Sequence, residues 1–239
     1  MHHPALPFIA NRSGASLLRW RPLPCAVATS VTYVALYAMS NRLTSLRSDV
    51  GTGVFAWERA IPFVGWTVVP YLSLCLFFAL SFFVDPDRER LRRHVLRLAI
   101  VLLVSVLCYA AFPLRFTFER PPTAGWIGAL FDLLGLCDMP YNRAPSLHIG
   151  VLVLMWARFA PCLRGWRGAA LHVWFALIAV SVLTTYQHHV LDVPAGAMLG
   201  IGAVLLTTPR LLKRRPSTGP ARDAAPAETL RGVLSGRWR

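Results

Sequence analysis

The chain has 239 residues, of which 55% are hydrophobic and only 15% charged. Soluble domains carry about 25% charged residues and disordered chains need low hydrophobicity, so the composition excludes both classes and leaves a polytopic membrane protein. The formal net charge of +14 would also suit nucleic acid. Here, however, the basic residues lie in short segments between apolar runs, which is the mark of membrane topology rather than of a folded polar surface.

A membrane-crossing helix needs about 20 mostly apolar residues. Six candidate runs follow in chain order: 24–40, 63–84, 98–112, 147–163, 169–185 and 190–212. Several fall short of that length and need flanking residues to complete a span, and Arg158 interrupts the fourth near its end. Backbone groups in lipid must be paired internally, so such runs predict helices. The short alternating segments of a barrel are lacking.

The expected fold is therefore all-α, with six transmembrane helices in a membrane domain over 22–212. A cytoplasmic segment covers 1–21, and a basic tail rich in Pro, Ala, Gly and Arg covers 213–239. That composition reads as mostly disordered, and the basic start of the tail suits anionic headgroups. No small-residue cleavage site follows the first apolar run, so no cleaved signal is expected. Four cysteines lie in or beside apolar runs and only Cys137 in a polar loop, which implies no disulfide framework.

Orientation follows from the distribution of Lys and Arg. With the N-terminus inside, 19 of the 25 basic residues face the cytoplasm and six face the other side. The cytoplasmic set includes the run from Arg88 to Arg97. The opposite set is Arg42, Arg47, Arg59, Arg115, Arg120 and Arg143. The bias predicts both termini inside.

Three polar constellations interrupt the apolar chain. They are Glu119-Arg120-Pro121-Pro122, Asn142-Arg143-Ala144-Pro145-Ser146-Leu147-His148 and Gln187-His188-His189-Val190-Leu191-Asp192. The same topology puts all three on the non-cytoplasmic side. His188 and Asp192 are four residues apart, hence neighbours on one helical face. A carboxylate beside an imidazole fixes its tautomer and orientation, and such a histidine serves as nucleophile or base. His148 offers a second imidazole on the same side. Arg120 supplies a planar fork for phosphate oxygens. Ser146 adds a hydroxyl, and a helix N-terminus there adds backbone N–H groups. Together they predict an anionic phosphoryl substrate.

Arg120-Pro121, then Pro145-Ser146-Leu147-His148, then His188-His189-Val190-Leu191-Asp192 resemble the three ordered signatures of the type 2 phosphatidic acid phosphatase superfamily. The resemblance runs from about Pro22 to Leu212. It implies a helical membrane fold and a phosphohistidine intermediate, without a metal or other cofactor. By that resemblance His188 attacks phosphorus, Asp192 orients it, His148 protonates the leaving oxygen, and Arg120 and Ser146 hold phosphoryl oxygens. The chain departs from the pattern at three places. Pro113 stands where the first signature begins with lysine, and Arg115 is the nearest substitute. Leu147 replaces the usual glycine, as in the branch similar to inositol phosphorylceramide synthases. Val182 stands where the third signature has arginine, which leaves Gln187, Arg143 or Arg115 to supply a phosphate ligand. The chain is also similar to the membrane part of bacterial proteins fused to a dual-specificity phosphatase.

Other residues carry milder expectations. His189 is also near Asp192 in sequence, and His188 is preferred to it on the family pattern. His172 reads as interfacial, His94 as part of a solvated basic loop, and Arg158 as a snorkelling side chain. Asp132 and Asp138 read as solvated loop charges. Trp57, Trp66, Trp126 and Tyr141 read as interfacial anchors. A zinc site at His148, His188, His189 and Asp192 fits the ligand chemistry but suits the arginine-plus-histidine pattern less well.

The expected function is a membrane lipid phosphatase acting on a phosphomonoester or diphosphate lipid. The alternative is a phosphotransferase that delivers the phosphoryl group or phospho-headgroup to an alcohol. A non-catalytic transporter or scaffold is the reading from another class. Expected partners are a lipid phosphate and the bilayer, not nucleic acid. The resemblance implies a bacterial inner membrane with the site facing the periplasm.

Overall fold

The computed structural model describes residues 21–84 and 87–208. The expected N-terminal segment up to residue 20, the tail from 213 and the last residues of the sixth run lie outside the described residues. The described chain is all-α. Its helices are α1 (Pro22–Ser45), α2 (Val68–Ser81), α3 (Arg88–Ala111), α4 (Gly125–Cys137), α5 (Leu147–Phe159), α6 (Gly165–Thr184) and α7 (Asp192–Thr207). Short 3-10 turns occupy Ala56–Ala60, Gly65–Thr67 and Ala160–Cys162.

Helix length separates these elements. Three helices, α1, α3 and α6, are long and apolar enough to cross a membrane. The other apolar runs give shorter helices, over Gly65–Ser81, Leu147–Cys162 and Asp192–Thr207 with their 3-10 turns. At a rise of about 1.5 Å per residue, such pieces reach roughly 24 Å against a hydrocarbon core of about 30 Å. Length alone thus accounts for three of the six expected spans. The outer surface suits lipid: α1 exposes Leu23, Val27, Val31 and Val34, which recur along one helical face.

Two boundaries differ from the sequence expectation for physical reasons. Helix α3 begins at Arg88, not at 98, so the arginine-rich segment is helical rather than a loop. Asp87 caps it by accepting from Glu89 N–H at 2.8 Å. Leu91, His94, Leu98, Val101 and Leu102 recur at helical spacing and bury one stripe, while the arginines occupy the other faces. A hydropathy window averages the two faces and misses this. Helix α4 replaces an expected loop. It is 13 residues long, too short to register as a span, but Phe131 and Leu134 are buried three residues apart on its inner face. Asp132 lies on its exposed side, so it is a helix residue and not a loop charge.

The tightest packing joins α5 to α7 and depends on glycine. A Cβ on Gly196 would stand 2.3 Å from the Ser146 carbonyl oxygen, and one on Gly200 would stand 2.7 Å from the Gly150 carbonyl oxygen. Glycines four apart on α7 therefore let two helix backbones touch, as small residues do between membrane helices. The contact brings the start of α5 against the start of α7, where Ser146 N–H donates to the Asp192 carbonyl at 3.0 Å.

Side-chain contacts define two ends of the bundle. At one end, Arg158 near the C-terminus of α5 donates to the Ser81 carbonyl of α2 at 3.2 Å, and Arg97 of α3 donates to Thr207 of α7 at 2.7 Å. At the other end lie the C-terminal halves of α1 and α3, the start of α5 and the start of α7. There Tyr109 donates to the Pro145 carbonyl at 2.8 Å, and Thr44 donates to Asn142 at 3.1 Å.

Candidate active site

The second end gathers all three polar constellations. Ser146 is the N-cap of α5, its side chain accepting from Ile149 N–H at 3.3 Å. This turns the chain so that Leu147 and His148 open the helix. Helix α6 ends at Thr184, and Tyr186 follows with a left-handed φ of 56°. Such a conformation is costly for a bulky side chain. It is held by the Tyr186 hydroxyl, which donates to the Ile61 carbonyl at 2.9 Å, and by ring contacts with Phe63 and Phe118. The N–H groups of Gln187 and His188 both return to the Val182 carbonyl. The helix therefore stops just before the polar run, which reverses and starts α7 at Asp192.

His188 Nδ1 lies 3.1 Å from Asp192 Oδ2, and both residues are buried. Asp192 Oδ2 also accepts from the His189 N–H at 2.9 Å. With Nδ1 turned to the carboxylate, Nδ1 carries the proton and Nε2 carries the lone pair. No described residue bonds to His188 Nε2. This is the arrangement of an oriented nucleophile or base.

His189 is placed differently. Its Nδ1 lies 2.8 Å from Glu58 Oε2, and its Nε2 lies 3.3 Å from the Thr117 hydroxyl. Its ring stacks on Phe116 at 4.4 Å between centroids and meets Phe118 edge-on. Both of its nitrogens are engaged, so geometry separates the two histidines as spacing alone did not. Glu58 was not singled out by sequence reasoning. It is buried in the 3-10 turn after α1 and also accepts from the N–H groups of Val190 and Phe55. Its one sequence signal is an acidic residue between two apolar runs, on the side assigned to the constellations.

His148 is stacked on Tyr71 of α2, with centroids 4.1 Å apart and planes 13° apart. Its Nε2 is buried and has no hydrogen-bond partner. Arg120 lies over the Phe131 ring, 4.6 Å from its centroid. With the Gln187 amide oriented to suit its neighbours, the Gln187 oxygen accepts from Arg120 Nη2 at 2.6 Å and its nitrogen donates to Asp138 Oδ2 at 3.2 Å. Partial burial lowers the Arg120 pKa from the usual arginine value, the direction in which desolvation pushes a cation.

Arg143 is a structural cation. It donates to the Gln187 carbonyl and to the Met139 carbonyl at 2.8 Å, and it pairs with Asp138 at 3.8 Å. Asp138 also accepts from the Tyr37 hydroxyl at 2.6 Å. It is thus a buried ion-pair partner, not a solvated loop charge, because the short α4 folds the loop back onto α1. Next to it, Asn142 accepts from Ser40 and Thr44 of α1. Arg115 is exposed, and only its backbone links it to the fold, its N–H donating to the Gly51 carbonyl at 3.0 Å. Of the three candidates for the missing phosphate ligand, Gln187 and Arg143 are therefore inside the cluster, whereas Arg115 contributes no side-chain bond to it.

Three buried side-chain atoms in this cluster lack partners: Arg120 Nε, Arg143 Nε and His148 Nε2. Buried polar atoms are nearly always satisfied. Two guanidinium nitrogens and one imidazole nitrogen are thus left unpaired in the cluster. Among the described residues no group of three or more His, Cys, Asp or Glu side chains converges to hold a metal ion, since His189 turns to Glu58.

Residues outside the cluster are also placed. His94 is buried in α3, its Nε2 2.7 Å from the Ser81 hydroxyl, and so is not part of a solvated loop. Exposed His172 of α6 accepts from Trp156 Nε1 at 2.7 Å. Trp57, Trp66 and Trp126 are exposed. No family model matches the chain, and no curated protein sequence matches it.

Proposed function

We propose that the protein is an integral membrane lipid phosphatase of the type 2 phosphatidic acid phosphatase kind, with His188 as its nucleophile. The observation that carries this reading is the His188–Asp192 pair at 3.1 Å, with His188 Nε2 unengaged beside the unpartnered nitrogens of Arg120, Arg143 and His148. Six membrane passes with both termini inside complete the reading. The helix ends bearing Arg88, Arg90, Arg92, Arg93, Arg97 and Arg158 then face the cytoplasm, and the histidine cluster faces the opposite side, the periplasm of a bacterial inner membrane.

The chemistry balances in two steps. His188 Nε2 forms a bond to phosphorus while the bond from phosphorus to the lipid oxygen breaks. His148, as imidazolium, gives its proton to that oxygen, and the lipid alcohol, or the lipid monophosphate where the substrate is a diphosphate, leaves. Water then attacks the phosphohistidine, His148 takes the proton of the water, and inorganic phosphate leaves with His188 restored. Asp192 holds His188 in the reactive tautomer and stabilises the positive charge on its ring during attack. Arg120 and the α5 N-terminus at Ser146 offset the charge on the phosphoryl oxygens.

The test is phosphate release by the purified protein from phosphatidic acid and from a polyprenyl diphosphate, with lipid products followed by mass spectrometry. The reading predicts free phosphate that vanishes in His188→Ala. Transfer to an added alcohol with little free phosphate would instead make the protein a transferase. No His188-dependent product from either lipid class would overturn the enzymatic reading.

A further inference from the structure

We propose that the bundle carries a second anion site at the end opposite His188, one that takes the phosphate of an anionic lipid headgroup or a free phosphate ion. It stands on geometry independent of the chemistry at His188. A cavity of about 220 Å³ opens there and is lined by Arg90, Arg93, His94 and Arg97 of α3, with Arg158 of α5 across from them. One water occupies about 30 Å³ of liquid, so the space admits a phosphate group.

The fold positions these side chains. Arg97 Nε donates to Thr207 at 2.7 Å and Arg158 Nε donates to the Ser81 carbonyl at 3.2 Å. Arg93 Nε donates to the Glu89 carbonyl at 3.3 Å. Among the described residues, Asp87 lies 3.5 Å from Arg90 and Glu89 lies 3.7 Å from Arg93. Four guanidinium groups thus line one cavity. Arg97 lies within electrostatic reach of both Arg93 and Arg158. A multivalent anion in the cavity relieves that repulsion, and guanidinium groups suit phosphate geometry.

His94 supplies the second observation. It is 1% exposed, and its Nδ1 has no partner. The Ser81 hydroxyl gives its proton to the Phe78 carbonyl at 2.6 Å, so His94 Nε2 must be the donor to Ser81. In the neutral ring Nδ1 then accepts, and it finds a donor in the hydroxyl of a monoprotonated phosphate or of a glycerol headgroup. In the protonated ring it donates to a phosphate oxygen. Either way, a phosphate-bearing ligand satisfies an atom that the protein leaves buried and unpaired.

The experiment uses the full chain carrying His188→Ala, so that turnover does not consume the probes. Native mass spectrometry reports bound phosphatidylglycerol and phosphatidylcholine, and phosphorus NMR reports inorganic phosphate. The double substitution Arg90→Gln with Arg93→Gln sits on the outer turns of α3, and Arg158→Gln approaches the cavity from α5. Phosphatidylglycerol is expected to be retained over phosphatidylcholine, with retention falling about tenfold in each variant, as loss of charge-assisted hydrogen bonds implies. Displacement of the lipid by millimolar inorganic phosphate identifies the headgroup phosphate as the ligand. Phosphate binding lost in the variants, without lipid selectivity, identifies free phosphate. Equal retention of both lipids together with phosphate binding unchanged in all variants would overturn the proposal.

Discussion

Glu58 and His189 lie 131 positions apart in sequence and meet as a buried pair, 2.8 Å between Oε2 and Nδ1. The same carboxylate accepts from the Val190 N–H at 3.1 Å. Glu58 therefore clamps two of the three residues that join His188 to Asp192, and the turn after α1 fixes the geometry of a pair formed at the start of α7.

Removing that clamp leaves a buried imidazole and a buried N–H unpaired. Each buried polar group left unsatisfied costs about 1–3 kcal/mol. Glu58→Ala is expected to lower the unfolding midpoint in detergent and to reduce turnover. Glu58→Gln, which keeps an acceptor oxygen, is expected to recover part of both. Thermal unfolding followed by circular dichroism, paired with phosphate release, checks this.

Gly196 sets the distance between Ser146 and Asp192. A methyl group there would stand 2.3 Å from the Ser146 carbonyl oxygen, which is backbone and cannot move aside without shifting α5. Gly196→Ala is expected to cost about 1–3 kcal/mol of stability. It should also lower activity more than Gly202→Ala, where nothing lies within 4 Å of the added carbon. The two variants are compared in one unfolding and activity series.

Tyr71 gives His148 a flat support, with ring centroids 4.1 Å apart. Tyr71→Phe keeps the stack and is expected to keep near-normal turnover. Tyr71→Ala removes it, and kcat is expected to fall about tenfold, the equivalent of a stacking contact near 1.4 kcal/mol. Steady-state kinetics on both variants measures the difference.

Arg120 and Arg143 are neighbours with opposite roles. Arg143 bonds two backbone carbonyls and Asp138, so Arg143→Ala is expected to yield poorly folded protein. Arg120 bonds one side chain amide and lies over Phe131. Arg120→Ala is expected to fold and to lose about 10–100-fold in kcat/KM, the range of a charge-assisted hydrogen bond. Arg120→Lys should recover little, because the planar fork is lost. Size-exclusion profiles and kcat/KM distinguish the two.

Part of this arrangement was legible in the sequence. The spacing of four residues paired His188 with Asp192, but not on one helical face as expected: α7 starts at Asp192 and His188 lies in the turn before it. Ser146 announced the start of α5. The gathering of three constellations at one end followed from charge bias and the count of apolar runs. What escaped were contacts between distant segments. Nothing local marks Glu58 as the partner of His189, or Asp138 as the partner of Arg143 and Tyr37. Helix α4 and the first ten residues of α3 escaped for another reason. Both are amphipathic or short, and a window tuned to uniform apolar runs of about 20 residues averages their buried stripe away. The glycines Gly196 and Gly200 were visible as a small-residue pair but did not enter the reading until the α5–α7 contact gave them a purpose.

The most direct test asks which nitrogen carries the phosphoryl group. Protein is mixed briefly with a lipid phosphate labelled at phosphorus, quenched in alkali, and digested to locate an acid-labile phosphohistidine by mass spectrometry. Wild-type protein and Glu58→Gln are expected to carry the label on His188, and His188→Ala is expected to carry none. Label on His189, or turnover that persists in His188→Ala, would contradict the assignment of His188 as the nucleophile.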